Sequence, residues 1–195
     1  VSIDQTLPAG TVDIRIVDAD GKTLPKAPIT LNILRNSVER GETREQKNQT
    51  SNDDGRLRFD GLTTGSGISY RVSTLRGAAT FSSAPFGLKD QHGISVLLHS
   101  YEPATRLEDA LFFIEAVVLL DVKQDAISVN HLLRTINLGR TAFVPDNLRI
   151  KLPEDYSAFN KQEGMSSVGI EARKDGTAQL VGTFPPGKAE LTYRY

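Results

Sequence analysis

Three histidines, two acid-rich glycine turns and a few serine–glycine stretches are the residues of this 195-residue chain that could do chemistry. A transition-metal site read from sequence needs His, Cys or carboxylate ligands at short fixed spacings. His92, His99 and His131 have no histidine partner at i+2 or i+4, and there is no cysteine. Disulfides, thiolate nucleophiles and cysteine-ligated zinc are therefore excluded together. Asp18-Ala19-Asp20-Gly21 and Asn52-Asp53-Asp54-Gly55 invite calcium. A calcium loop, however, alternates oxygen ligands and closes on a distal Glu at a fixed offset. These two run on into Lys22 and Arg56, and turn formation accounts for both. Gly65-Ser66-Gly67 leads into no helix start and no Lys-Ser/Thr, so it is a flexible loop rather than a phosphate cradle. Neither it nor Gly164-Met165-Ser166-Ser167 forms the Gly-x-Ser-x-Gly elbow of a serine hydrolase. The paired acids Asp53/Asp54 and Glu154/Asp155 fall in turns, not across a cleft. The expectation is that no residue is catalytic, cofactor-binding or metal-ligating and that no cofactor is used. A hydrolase would have to build on His131, in an alternating strand beside Asn130, with two acids converging on it.

Composition narrows the partners. The 23 basic and 24 acidic residues give a net charge of −1. Residues 1–100 carry 12 basic and 11 acidic side chains (+1), and residues 101–195 carry 11 and 13 (−2). Neither half has the basic field that a phosphate backbone demands, so nucleic acid is not an expected partner. Flat sugar platforms rely on Trp or clustered Tyr; this chain has no Trp and five scattered Tyr, which makes glycan binding the weaker alternative. The longest apolar run, Ala110 to Val122, is interrupted by Glu115 and falls short of a membrane-spanning helix. The chain starts at Val1 without a signal-peptide pattern. It is read as a portion of a larger protein, with any leader or anchor outside these residues.

The elements that carry these side chains are strands. Val1–Gly10 reads as a polar leader. Val12, Ile14 and Ile16 then alternate with Asp13 and Arg15 at the strand period. Pro28–Arg35 alternates through Ile29, Leu31 and Ile33, and Glu42–Thr50 reads as an exposed polar edge strand. Leu57–Phe59, Ile68–Thr74, Ala79–Ser82 and Gly93–Ser100 complete about seven strands in a hundred residues, with no helical periodicity. Antiparallel pairing is expected throughout, because no crossover segment is evident for a parallel pair. Tyr101–Asp109 reads as an interdomain linker. Ala110–Val122 has the length of a helix, but Val117, Val118 and Val122 favour a strand pairing with Ala126–Leu138 across Lys123–Asp125. Ser167–Ala172, Thr177–Thr183 and Ala189–Tyr195 follow as strands, with turns at Lys174-Asp175-Gly176 and Pro185-Pro186-Gly187. The fold class is all-β: two tandem antiparallel β-sandwiches, residues 1–100 and 101–195.

DADGKTLPKAPITL, TSNDDGRLRFDGL and ISYRV together resemble the carboxypeptidase-regulatory-like or transthyretin-like family over about residues 11–99. Gly55, Phe59, Leu62 and Tyr70 fall in the family's order. The resemblance implies a hairpin at Gly55, Phe59 and Leu62 in the inter-sheet core, and Tyr70 with its hydroxyl at the edge. Residues 135–159, GMSSVGIEA and GTFPPGKAELTYRY are similar to a segment that follows such modules in envelope proteins of predatory and gliding δ-proteobacteria. The resemblance implies a non-catalytic structural or protein-binding module in the extracytoplasmic part of a bacterial envelope protein, with another envelope protein as partner. Transthyretin-fold hydrolases end in Tyr-Arg-Gly-Ser, whereas this sequence ends Thr-Tyr-Arg-Tyr and has no histidine near its first strand. A pilin-like Lys–Asn cross-link would need Lys on the first strand, where Arg15 stands. The expected docking surfaces are the Glu42–Thr50 edge and the loops at the sandwich ends. Tyr156 and Phe159 are the residues a sugar or apolar ligand would use.

Overall fold

The computed structural model describes residues 1–37, 41–161 and 168–195. The expected strand start at Ser167 and the Gly164–Ser167 stretch lie outside them. The chain divides into two units, Val1–Tyr101 and Glu102–Tyr195.

In the first unit the alternation read from the sequence sets which side of each strand is inward. Its strands are β1 (Ser2–Asp4), β2 (Val12–Val17), β3 (Pro28–Ser37), β4 (Gly41–Thr50), β5 (Arg56–Phe59), β6 (Ile68–Arg76), β7 (Ala79–Ser82) and β8 (Gly93–His99). They form two four-stranded sheets, ordered β1-β8-β2-β5 and β4-β3-β6-β7. Val12, Ile14 and Ile16 of β2 are buried with Ile94, Val96 and Leu98 of β8 from one sheet. Ile29, Leu31 and Ile33 of β3 are buried with Tyr70 and Val72 of β6 from the other. Period-2 side chains thus build one core between two sheets. Phe59, Leu62 and Tyr70 are all buried, and the Tyr70 hydroxyl donates to the Thr63 carbonyl at 2.6 Å, so the buried phenol is not left unpaired.

Two expectations for this unit are corrected. β2 and β8 run parallel, with Val12 opposite Ile94, Ile14 opposite Val96 and Ile16 opposite Leu98. The crossover needs no helix, because the strands between them, most of them in the opposite sheet, make the connection. Ser2–Asp4 is not a leader but an edge strand antiparallel to β8, with Ile3 opposite Ile94.

The second unit holds β9 (Pro103–Ala104), a 3-10 turn at Leu107–Asp109, β10 (Phe112–Val122), β11 (Ile127–Asn137), β12 (Ala142–Phe143), β13 (Arg149–Lys151), β14 (Asn160–Lys161), β15 (Val168–Ala172), β16 (Thr177–Gly182) and β17 (Gly187–Arg194). Its sheets are β10-β11-β17-β14, β13-β16-β15 and the parallel pair β9-β12. Leu133, Leu191 and Tyr193 from the first share a core with Ile170, Ala178 and Leu180 from the second and with Phe143 and Phe184. Ala110–Val122 is a strand over most of its length, as its β-branched residues indicate. Of the expected linker Tyr101–Asp109, Glu102–Asp109 is instead part of this unit: Pro103 and Ala104 pair with Ala142 and Phe143, and the small apolar Ala104 enters the core.

The turns are built by side chains that mimic backbone acceptors. Asp18 Oδ1 accepts from the amides of Asp20 and Lys22, both at 2.9 Å. Asn52 Oδ1 accepts from those of Asp54 at 3.0 Å and Arg56 at 2.8 Å. Gly21 and Gly55 both have left-handed φ, +77° and +69°. They differ in space. A Cβ on Gly21 meets nothing within 4 Å, whereas one on Gly55 lies 3.0 Å from the backbone N and O of Leu24 and 3.1 Å from the Ile16 carbonyl. Gly21→Ala should cost about 1 kcal/mol for the left-handed backbone alone. Gly55→Ala should cost roughly 2–4 kcal/mol, because strain and a rigid backbone clash add to it. Urea titration of both variants checks this, and equal midpoints would contradict it.

Candidate functional site

Among the described residues, those with chemical potential do not converge. His92 is half-buried in the bend before β8, and His99 is exposed at the end of that strand, its ring 6.0 Å from Tyr101. His131, on β11, lies flat on Tyr193 with ring centroids 4.5 Å apart and planes 4° apart. Its Nε2 is 3.2 Å from the Tyr195 hydroxyl. Among the described residues no carboxylate pairs with it, so the acid that a hydrolytic dyad needs is not supplied. In the two acid–glycine turns that suggested calcium, Asp18 Oδ1 and Asn52 Oδ1 are engaged by backbone amides of their own loops. A groove of about 530 Å³ lined by Ile29, Asn48 and Leu75 and one of about 320 Å³ lined by Phe112, Asn137 and Phe184 contain no histidine. Tyr156 and Phe159 pack on the core of the second unit, Phe159 with its ring 5.4 Å from Tyr193. They are structural aromatics, not an open sugar platform.

The feature that ordinary folding does not account for is β10. It pairs with β11 over its whole length, Phe112 opposite Asn137 through Val122 opposite Ile127, and it is the terminal strand of its sheet. Every residue from Phe113 to Val122 is exposed. Most are large and apolar: Val117 52%, Leu119 62%, Leu120 64% and Val122 72% exposed. Phe112 alone is anchored, its ring 4.7 Å from Phe143 and 5.3 Å from Phe184.

Among the described residues the outer edge of β10 is unpaired as well as apolar. In an antiparallel ladder alternate residues point both backbone groups at the neighbouring strand. The Lys123 amide bonds the Ala126 carbonyl and the Leu138 amide bonds the Leu111 carbonyl, so the odd-numbered residues face β11. Ile114, Ala116, Val118, Leu120 and Val122 therefore direct their N–H and C=O groups outward. Such an edge is a template for another strand unless charge, proline or a bulge guards it. β4, the edge predicted to bind, is fully exposed too, but it is guarded. It is polar along its length, with Glu42, Arg44, Glu45 and Lys47 and no large apolar side chain. On β10 the acids are neutralised locally, Glu115 by Arg134 at 3.4 Å and Asp121 by Lys123 at 4.0 Å. Arg134 also holds Glu190 at 3.1 Å; these two carboxylates, Glu190 first, keep its guanidinium protonated beyond its ordinary range.

Sequence reasoning identified β10 as a strand and missed its exposure. The available signal was apolar side chains at both parities, Ile114, Val118 and Leu120 together with Phe113, Val117 and Leu119. A strand with one wet face alternates, whereas apolarity at both parities marks burial on both faces. The described residues of the unit cover neither face beyond Phe112.

No family model matches the chain, and no curated protein matches it significantly. Among solved structures, the full-length major pilin SpaD of Corynebacterium diphtheriae aligns at 16% identity over 99% of this chain and 57% of the pilin, with a TM-score of 0.36. The major pilin SpaA of the same organism aligns at 13% over 95% of this chain and 57% of that one, TM-score 0.32. The major pilin subunit BcpA of Bacillus cereus aligns at 14% over 95% and 58%, TM-score 0.32. The chain thus spans under three-fifths of the length of these pilins. Nothing about the role of this chain follows from likeness at that level.

The His131–Tyr193–Tyr195 stack carries a pH signature. Burial, with a smaller contribution from Tyr195, pushes the Tyr193 phenol up to about 12. An unfolded tyrosine ionises near 10, so its stabilising contribution is full below pH 10 and is lost as pH rises toward 12. Burial lowers His131 below 6.5, so its contribution is full above pH 6.5 and declines as pH falls below that value. Thermal melts from pH 5 to 11.5 should show both limbs, with the alkaline one reduced in Tyr193→Phe. An alkaline limb unchanged by that substitution would contradict the assignment.

Proposed function

We propose that the chain is a non-catalytic structural and protein-binding module of an extracytoplasmic bacterial surface protein, and that β10 is its docking strand. The single observation that carries this is the exposed, apolar and unguarded edge of β10. Strand addition to such an edge obtains affinity from main-chain hydrogen bonds and specificity from alternate side chains. The first unit is read as a carboxypeptidase-regulatory-like, transthyretin-like sandwich. Gly55 at a left-handed turn and the buried Phe59, Leu62 and Tyr70 support that reading. The envelope location is supported by the resemblance of residues 135–159. Among the described residues no helix is long and apolar enough to cross a membrane.

A photo-reactive residue at Leu119, introduced in the cells that make the protein, should yield a protein adduct. The same residue at Thr43 on β4 should yield little. Val118→Pro removes an outward amide without touching the β10–β11 ladder and should abolish the Leu119 adduct. Equal adducts from both strands, or an adduct indifferent to Val118→Pro, would overturn β10 as the docking strand.

A further inference from the structure

We propose that the occupant of the β10 edge is β10 of a second copy of this chain, added antiparallel about a two-fold axis at Val117. This rests on the reading of β10 as a docking strand and names its partner. The first support is charge. Glu115 and Asp121 are the ionisable residues of the strand, and each has a cation of its own chain, Arg134 and Lys123. The edge therefore asks for an apolar strand whose charges are already paired within its own chain, and β10 is itself such a strand.

The second support is register. A two-fold axis at Val117 is the arrangement that pairs all of Phe112–Val122 with its copy. It sets Phe112 opposite Val122, Ile114 opposite Leu120 and Ala116 opposite Val118. Ile114, Ala116, Val118 and Leu120 point their backbone groups outward, so they form the hydrogen-bonded pairs of the new ladder, flanked at each end by Val122 and by Phe112, whose own amide already bonds the Ala110 carbonyl. Glu115 then faces Leu119, and Asp121 faces Phe113. Moving the axis one residue to Val118 would oppose Glu115 to Asp121, and like charges directly opposite are destabilising. Charge and length thus select the same register. The contact is isologous and closed, as a two-fold dimer requires. It joins the sheets as β14-β17-β11-β10-β10-β11-β17-β14, brings Val117 of one copy beside Val117 of the other and sets Phe113 diagonal to Leu119.

The chain has no cysteine, which makes the test clean. In the Val117-centred register Val117 faces itself at a non-hydrogen-bonded position, where Cα atoms lie about 4.5 Å apart, within disulfide reach. Leu119 faces Glu115, so the two copies of Leu119 are about 13 Å apart, beyond disulfide reach. Native chain should sediment at twice 21.3 kDa. Under mild oxidation Val117→Cys should give a covalent dimer, with a yield on the order of tenfold above Leu119→Cys. Equal cross-linking of the two variants would overturn the register. A native chain that stays monomeric, with Val117→Cys uncross-linked, would overturn self-pairing. In that second case a persisting Leu119 photo-adduct to a different protein leaves β10 as the docking strand, whereas loss of both ends the docking reading as well.

Discussion

The register of β10 on β11 is the constraint from which the second unit follows. β11 lies between β10 and β17, so its side chains are fixed from both sides. Leu133 lies opposite Ala116 on one neighbour and Leu191 on the other and points into the core. The next residue, Arg134, points the other way and bridges Glu115 and Glu190 across three strands. A slip of one residue would drive Arg134 into the core and expel Leu133, which an apolar interior does not tolerate. The same register decides which backbone groups of β10 are spent on β11 and which are left outward.

The two units solve the edge problem differently. In the first, β4 meets water with a run of polar and charged side chains, and its exposure costs nothing. In the second, β10 meets water with valine, leucine and phenylalanine and with unspent amides. Exposed apolar surface of that extent is the feature on which the proposed docking role of β10 rests. The Asp18 and Asn52 turns and the rings of His99 and His131, by contrast, are accounted for by turn geometry and packing within their own neighbourhoods.

Much of this was legible in the residues. Alternation at Val12–Ile16 and Ile29–Ile33 set the inward faces of the first unit, because a half-buried strand leaves a period-2 trace. Asp18 and Asn52 marked their turns because a short side-chain oxygen can substitute for a backbone acceptor. The parallel β2–β8 pair left no trace. Its crossover is a succession of strands, and local pattern carries no direction for a pair eighty residues apart. Ser2–Asp4 escaped because a three-residue edge strand is too short to show a period. β10 was recognisable as a strand from its β-branched residues, and its apolarity at both parities was visible. What sequence alone could not supply was the fact that the described residues of its own unit leave both faces and one edge uncovered.

The most direct measurement is residue-resolved amide exchange along β10 at low and high protein concentration. The account predicts alternation in dilute solution: amides of Glu115, Val117, Leu119 and Asp121 protected, and those of Ile114, Ala116, Val118 and Leu120 exchanging freely. At high concentration the second set should become protected as the first already is. Even-numbered amides that are protected at every dilution, or that never become protected, would contradict it.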